Sequence, residues 1–119
     1  MGIRNQIQDN INKTLHKLRR VERVEQYIAD NLQPDLSAAT VAAKFELSVS
    51  SLQHLFKKYQ GQSYHQYSEK IRLERAFDLI NKKDKRIKEI LNETGYSNRS
   101  TFNIAFKKRF RYPPRYFRK

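Results

Sequence analysis

The hydrophobic positions at the start of this chain recur at helical spacing. Over residues 3–28 the aliphatic side chains follow one another at steps of three or four, which is typical of one face of an amphipathic helix. They are Ile3, Ile7, Ile11, Leu15, Leu18, Val21, Val24 and Ile28. Pro34 stops the pattern, because proline lacks the N–H that a helix interior needs. The segment predicts one long amphipathic helix or two helices that abut.

Short polar residues and glycines divide the following stretch into further helices. Ser37 is placed to cap the short segment AATVAAKF, and after a brief connection at residues 46–48 a second helix runs to Gly61. Ser63 is placed to cap a longer helix over residues 64–82. This part of the chain therefore predicts two short helices followed by one long helix.

The last third of the chain carries the same kind of signals. Asp84 is placed to cap the helix IKEILNET, and Gly95 ends it because glycine tolerates a positive φ. Another helix is predicted over residues 98–109, and Pro113-Pro114 begins a terminal turn. Strand-like alternation is hard to find, so the fold is predicted to be all-α.

Two parts of the chain repeat each other at an offset of about fifty residues. LQHLFKKYQG at residues 52–61 matches FNIAFKKRFR at residues 102–111. The short helices before them align Val41-Ala42 with Ile90-Leu91. Each copy therefore predicts a short helix, a tight turn and an amphipathic helix. This is the helix-turn-helix unit, whose second helix lies in the major groove of DNA.

A helical wheel separates the residues of each second helix into an inner and an outer face. The inner residues are Leu52, Leu55, Phe56 and Tyr59 in the first copy, and Phe102, Ala105, Phe106 and Arg109 in the second. The outer residues are Ser50, Gln53, His54, Lys57 and Lys58, and then Ser100, Asn103, Ile104, Lys107, Lys108 and Arg111. Side-chain amides pair with adenine, and lysines neutralise phosphates. An ordinary solvated helix face is the alternative for either copy alone, but two aligned polar faces favour DNA.

The charge of the chain also favours a polyanionic partner. The 119 residues include 25 Lys plus Arg and 12 Asp plus Glu, which gives a net charge of +13. Residues 1–61 carry a net charge of +3 and residues 62–119 carry +10, and residues 99–119 hold eight basic residues and no acid. Nucleic acid is the first candidate partner and an anionic membrane surface the second.

The long helix predicted over residues 64–82 would set the spacing between the two units. About 20 residues at roughly 1.5 Å each span roughly 30 Å, close to the ~34 Å between successive major grooves on one face of a duplex. Apolar residues occupy two sides of this helix, with Tyr64, Tyr67 and Ile71 on one side and Leu73, Ala76 and Ile80 on another. The helix is therefore predicted to join two small hydrophobic cores.

Other classes of function find little support in the sequence. Cysteine is absent, the three histidines lie on different predicted elements, and the twelve acids form no evident acid–base pair. No apolar run reaches the length of a membrane span. An RNA-binding protein would display stacking aromatic rings outward, and a membrane-surface helix would leave large apolar residues free. We therefore predict a soluble, cytoplasmic protein that is not an enzyme and needs neither cofactor nor metal.

Three segments resemble, in order and spacing, the DNA-binding region of the AraC/XylS family of bacterial transcription regulators. They are LSAATVAAKFELSVSSLQHLFKKYQGQSYHQY, IRLERAFDLI and IKEILNETGYSNRSTFNIAFKKRFRYPPRYFR, and they span residues 36–118. In size the chain is similar to the small MarA/SoxS/Rob-like members. The resemblance implies seven helices, two helix-turn-helix units and a monomeric domain that binds adjacent major grooves of a promoter.

The resemblance also assigns roles to individual residues. Base-reading positions fall on Ser50, Gln53, His54, Arg99, Ser100, Asn103 and Ile104. Phosphate contacts are predicted for Ser48, Lys57, Lys58, Thr101, Lys107, Lys108 and Arg111. Glu46 and Arg111 stand where the family often has glycine, and Ile104 stands where close relatives have arginine.

The predicted organisation has an N-terminal amphipathic helix or linker remnant at residues 1–18 and a DNA-binding domain at residues 19–119. Within the domain, the first unit covers residues 19–62, the linker helix 63–83 and the second unit 84–119. The N-terminal segment could dimerise, contact a sensor domain or pack on the body, and we favour packing or a linker. The predicted partners are promoter DNA and RNA polymerase. The protein is predicted to bind DNA as a monomer and to be associated with the nucleoid when it is bound.

Overall fold

The computed structural model describes residues 2–32 and 36–118, which form six α-helices and one short 3₁₀ helix. The α-helices are α1 (Gly2–Asp30), α2 (Ala38–Lys44), α3 (Val49–Gln60), α4 (Tyr64–Lys82), α5 (Ile87–Thr94) and α6 (Arg99–Phe110), and the 3₁₀ helix is Pro114–Arg118. The prediction of an all-α fold with about seven helices is confirmed. Pro34, which was expected to stop the first pattern, lies outside the described residues.

The first apolar pattern forms one continuous helix of 29 residues, so the alternative of two abutting helices is wrong. Only its second half is buried, through Val21, Val24 and Ile28. Exposure falls along the first half from 78% at Ile3 to 37% at Leu18, which contradicts packing of residues 3–18 on the body. The physical reason is length: α1 packs along α3 and α4, and it continues past both.

The first hydrophobic core is built by α1, α2, α3 and the beginning of α4. Its fully buried side chains include Val24, Ile28, Val41, Leu52 and Phe56. The Phe56 ring packs edge-on against Tyr64, with centroids 5.5 Å apart. The Tyr64 hydroxyl donates to the Leu36 carbonyl at 2.8 Å, and burial raises the pKa of Tyr64 to about 12. The hydroxyl therefore remains a protonated donor at neutral pH.

The second hydrophobic core contains the rest of α4, α5, α6 and the 3₁₀ helix. Its buried members are Leu73, Ala76, Leu79, Ile80, Ile90, Leu91, Phe102 and Phe106. Phe77 of α4 also packs here, with its ring centroid 4.7 Å from Phe110 and 5.0 Å from Phe117. The repeated positions of the sequence thus become equivalent core positions, since Val41-Ala42 and Ile90-Leu91 are all buried.

The linker helix α4 has the two apolar sides that the sequence predicted. Tyr64 and Tyr67 belong to the first core, whereas Leu73, Ala76 and Ile80 belong to the second. Polar contacts also join α1 to α3 and α4 beside the first core. Glu25 of α1 accepts hydrogen bonds from Gln60 at 2.5 Å and from the Tyr67 hydroxyl at 3.4 Å.

On the other side, Arg72 of α4 fastens the turn of the second unit. Its Nη1 donates to the carbonyl of Thr94, the last residue of α5, at 3.0 Å and to that of the C-cap Gly95 at 2.9 Å. A cation at a helix C-terminus satisfies carbonyls that lack partners within the helix. Arg118 makes a second contact at the end of α4, because its Nε donates at 3.2 Å to the Ile80 carbonyl, which also accepts the Lys83 N–H.

The predicted helix starts are confirmed at two positions and wrong at one. The side chains of Ser37 and Ser63 accept the N–H of the third following residue, as N-caps do. Asp84 does not cap α5, because that helix begins at Ile87 and Arg86 occupies the N-cap position. The reason is that Lys83 ends α4 with a φ of +62°, so the next residues are needed to turn the chain.

Left-handed backbone conformations end several of the helices. Gly61 and Gly95 have φ values of +71° and +81°, as the sequence predicted for helix ends. Glu46 and Arg111, which stand where the family often has glycine, have φ values of +56° and +73°. The backbone path is therefore kept at both positions, at a cost of roughly 1 kcal/mol for each side chain.

The two faces of α6 predict opposite responses to truncation. Phe106 is fully buried, so Phe106→Ala should lower the free energy of unfolding by about 3–5 kcal/mol through lost burial and a cavity. Ile104→Ala, on the exposed face of the same helix, should change it by less than about 0.5 kcal/mol. Urea unfolding followed by circular dichroism measures both, and equal losses would contradict this assignment of the faces.

Candidate nucleic-acid interface

The first polar face lies on α3, and burial of the opposite side orients it. Leu52, Leu55 and Phe56 are buried, as the wheel predicted, and Tyr59 is half-buried. The outward residues Ser50, His54, Lys57 and Lys58 are exposed. Ser48 precedes the helix as its N-cap, and its Oγ accepts the N–H of Ser51 at 3.0 Å. This hydrogen bond caps the start of α3. Ser48 is also exposed, so it lies at the edge of the polar face.

Gln53 has a structural contact that the sequence did not reveal. It is half-buried, and its Oε1 accepts the backbone N–H of Tyr64 at 3.3 Å. Tyr64 is the first residue of α4, whose N–H groups lack partners within the helix. The predicted base-reading residue therefore also joins α3 to the start of the linker helix. A side-chain amide has two donors and further acceptor capacity, so this contact does not exhaust it.

The second polar face lies on α6 and is oriented in the same way. Phe102 and Phe106 are fully buried, and the Asn98 side chain caps the helix by accepting the N–H of Thr101 at 3.0 Å. The predicted contact residues of this helix and its end are all exposed, namely Arg99, Ser100, Thr101, Asn103, Ile104, Lys107, Lys108 and Arg111. Arg111 forms the C-cap, at the opposite end of α6 from Asn98.

One inward assignment on α6 is wrong. Arg109 was predicted on the inner side, but it is exposed and its Nη2 lies 3.2 Å from the Glu74 carboxylate of α4. Phe110 is half-buried and packs in the second core instead. A guanidinium at the edge of an apolar face reaches outward to a charged partner, because burying it unpaired would be costly.

A groove of about 530 Å³ lies beside α6 and collects part of the predicted site. It is lined by Ile87, Arg99, Asn103, Ile104, Lys107, Pro113, Pro114, Arg115 and Arg118. Four predicted contact residues therefore share one concave surface, while Ser100, Thr101, Lys108 and Arg111 lie outside it. Arg115 is exposed in this groove, and Arg118 is the residue that also reaches the end of α4.

A second groove, of about 440 Å³, lies between α1 and α3. It is lined by Lys17, Arg20, Leu47, Ser50, Ser51, His54, Leu55, Lys58 and Tyr59. Three predicted contact residues, Ser50, His54 and Lys58, meet here, whereas Ser48, Gln53 and Lys57 do not line the groove. Each helix-turn-helix unit thus presents a groove beside its second helix, with polar and basic side chains along it.

The lysines of both faces are not neutralised by the protein. The ion pairs seen within residues 2–32 and 36–118 join His65 to Glu69, Lys85 to Glu93, and Arg109 to Glu74. None of them uses Lys57, Lys58, Lys107 or Lys108. These ammonium groups are therefore available to anions such as backbone phosphates.

In the described part of the chain, no group of three or more histidine, aspartate or glutamate residues is placed to hold a metal ion. None of the helices within residues 2–32 and 36–118 combines the length and the apolar character that crossing a membrane requires.

Sequence reasoning missed four basic residues that line the grooves. Arg115 and Arg118 had a signal, because they belong to the acid-free C-terminal segment. Lys17 and Arg20 had none, because α1 and α3 are brought side by side only by the first core.

Comparisons with known proteins give a consistent result. A family described as a helix-turn-helix domain matches residues 41–119. The probable transcriptional regulator LumQ of Photobacterium leiognathi is 31% identical over 91 residues, which cover 76% of this chain and 37% of LumQ. The chain spans about 36–40% of the length of the first curated relatives that it matches.

Solved structures resemble the chain in fold and in sequence. The C-terminal domain of AraT, a response regulator from Geobacillus stearothermophilus, aligns with a TM-score of 0.78 and 33% identity over 82% of each chain. A transcriptional regulator with an AraC-type DNA-binding domain from Chromobacterium violaceum aligns with a TM-score of 0.69 and 29% identity. That alignment covers 90% of this chain and 93% of the other.

Proposed function

Because this chain belongs to the AraC-type family of helix-turn-helix transcriptional regulators, we propose that it binds a specific double-stranded DNA site and regulates bacterial transcription initiation. The observation that carries the proposal is the pair of exposed, polar and basic faces on α3 and α6, each beside a groove. Both faces belong to equivalent helices whose opposite sides are buried through Phe56 in α3 and through Phe102 and Phe106 in α6, so the outward side chains are open to a partner.

The two recognition helices, α3 and α6, are proposed to enter adjacent major grooves. They are joined through α4, whose 19 residues would span about 28 Å at ~1.5 Å per residue. Successive major grooves on one face of a duplex are ~34 Å apart. A rigid helix buried at both ends is suited to hold two recognition helices at about this separation.

Within each face we assign base reading and phosphate contact to different residues. Base edges are read by Ser50, Gln53, His54, Arg99, Ser100, Asn103 and Ile104, because amide, imidazole, guanidinium and methyl groups complement the major groove. Phosphates are contacted by Ser48, Lys57, Lys58, Thr101, Lys107, Lys108 and Arg111. The first set would determine the sequence, and the second would supply affinity that depends on salt.

One chain is proposed to bind one DNA site as a monomer, because it carries both recognition units. A dimer formed through the exposed ridge Ile3–Leu18 is the alternative, and analytical ultracentrifugation of the protein–DNA complex separates the two stoichiometries. When it is bound at a promoter, the protein is also proposed to contact RNA polymerase.

The binding mode can be tested by selecting duplexes from a random library. We expect a motif of two half-sites about one helical turn apart, because α4 fixes the spacing of α3 and α6. Hydroxyl-radical footprinting of the selected site should show protection in two successive grooves. Recovery of no motif would overturn sequence-specific binding, and protection of a single groove would overturn the two-unit mode.

Gln53→Ala and Lys107→Ala should weaken binding in different ways. Loss of the Gln53 amide should relax the preference at one or two base pairs and cost about 1–3 kcal/mol on the selected duplex. Loss of Lys107 should weaken selected and random duplexes alike and reduce the salt slope by about 1. The measurement is binding to both duplexes over a range of salt concentrations.

Gln53 needs a folding control because its Oε1 also holds the N–H of Tyr64. Removing that hydrogen bond should lower the free energy of unfolding by about 1 kcal/mol, which leaves the protein folded. Equal weakening on selected and random DNA by Gln53→Ala would show that the residue only supports the fold.

Ile104→Arg should change the sequence preference of the second half-site alone. Ile104 is 71% exposed and lines the α6 groove with Asn103 and Lys107. An aliphatic side chain in the major groove can pack on a thymine methyl, whereas arginine pairs with guanine. The variant should therefore shift one base pair from A·T towards G·C and leave the first half-site unchanged. Selection with both proteins side by side measures this, and identical motifs would show that residue 104 does not reach the bases.

A further inference from the structure

Helix α1 carries a basic face as well as the apolar ridge near its N-terminus. Lys13, Lys17 and Arg20 are spaced by four and three residues, which places them on one side of the helix. By 100° per residue, the exposed ridge of Ile7, Ile11, Leu15 and Leu18 lies on the far side. The basic face and the apolar ridge are therefore separate surfaces of the same helix.

The basic face of α1 borders the first recognition helix. Lys17 and Arg20 line the groove of about 440 Å³ that also contains Ser50, His54 and Lys58 of α3. None of the nine residues that line this groove is acidic. Three cations thus face one open cleft together with two of the residues assigned to base reading.

The cations of this cluster form no ion pair with the protein: Lys13, Lys17 and Arg20 take part in none of the pairs found within residues 2–32 and 36–118. Like charges three and four residues apart destabilise a helix by a few tenths of a kcal/mol per pair. An anion bound in the groove would relieve this repulsion. If α3 binds DNA as proposed, the nearest anion is a phosphate of the DNA backbone.

The cations of α1 are arranged in a row that a DNA backbone, with its line of phosphates, can follow. A duplex whose major groove receives Ser50 and His54 must carry a phosphate strand along the edge of α3. Lys17 and Arg20 lie along that edge, and Lys13 lies about one helical turn further along α1, away from the body. A row of phosphates can follow this line, whereas a small anion would occupy only part of it.

We propose that α1 is a third DNA-contacting element, in which Lys13, Lys17 and Arg20 bind phosphates beside the first half-site. This rests on the proposed function of α3 as a recognition helix. The contacts are independent of base sequence, so α1 adds affinity and extends the footprint outward without adding a base to the motif. The exposed start of α1 then has a role for its polar side that does not require a second copy of the chain.

The test compares two double variants of α1 with equal charge change. Lys17→Gln/Arg20→Gln removes the two cations that line the groove, and Arg19→Gln/Arg23→Gln removes two exposed cations that point elsewhere. The slope of log K against log salt on the selected duplex should fall by about 1.8 for the first variant, because each lost phosphate contact contributes about 0.9. The second variant should change the slope by less than about 0.5, since only long-range attraction is reduced.

Footprinting gives an independent readout with the same proteins. Wild type and Arg19→Gln/Arg23→Gln should protect backbone sugars outside the first half-site from hydroxyl radicals, and Lys17→Gln/Arg20→Gln should lose that protection. Lys13→Gln should lose only its outermost part. Circular dichroism and thermal unfolding of each variant verify that α1 and the first core are intact.

The possible results separate this proposal from the proposed function. Equal slopes and footprints for the two double variants, with the selected motif retained, would overturn contact by α1 while sequence-specific binding stands. A changed motif in Lys17→Gln/Arg20→Gln would overturn the claim that these contacts are independent of sequence. Failure of the wild-type protein to select any motif would overturn the proposed function itself.

Discussion

The arrangement of this protein depends on burial of opposite faces of one helix, α4, in two separate cores. Phe56, Leu52 and the residues around them cover Tyr64 and Tyr67, whereas Phe102 and Phe106 cover the side formed by Leu73, Ala76 and Ile80. Neither core is large, and α4 forms one side of each. Without α4, both helix-turn-helix units would expose part of their core. Arg72 adds a directional constraint, because its hydrogen bonds to Thr94 and Gly95 fix the turn of the second unit relative to the helix.

The buried aromatic rings also determine which side chains a partner can reach. Phe56 and Phe106 occupy equivalent positions in the two units, and a helix that buries one side must present the other. The outward faces of α3 and α6 thus have the same orientation in their units. Their chemistry differs, because α3 offers serine, histidine and lysine, whereas α6 also has the exposed Ile104. Gln53 lies between the two roles, since it supports the start of α4 and borders the outward face. The proposed base reading and the support of α4 would therefore fall on the same side chain.

Helix α1 shows how one continuous pattern can serve two environments. Val21, Val24 and Ile28 complete the first core, and Glu25 ties this part of the helix to Gln60 and Tyr67. Towards the N-terminus the same apolar repeat continues beyond α3 and α4 and remains exposed. The result is an elongated molecule, 66 Å in its longest dimension and 22–25 Å in the others.

The sequence by itself determined the local structure and the internal repeat of this protein. Helical spacing, serine caps at Ser37 and Ser63 and glycine ends at Gly61 and Gly95 depend on backbone chemistry within a few residues, which a sequence records directly. The match of Phe56 with Phe106 predicted which faces of α3 and α6 are inside, and both rings are buried. Only the tertiary structure decided features that depend on distant segments meeting: the Arg109–Glu74 pair, the Gln53 contact to Tyr64, and the approach of Lys17 and Arg20 to α3. The start of α5 at Ile87 instead of near Asp84 has the same origin, because the path that returns the chain from α4 to the second core fixes where that helix can begin.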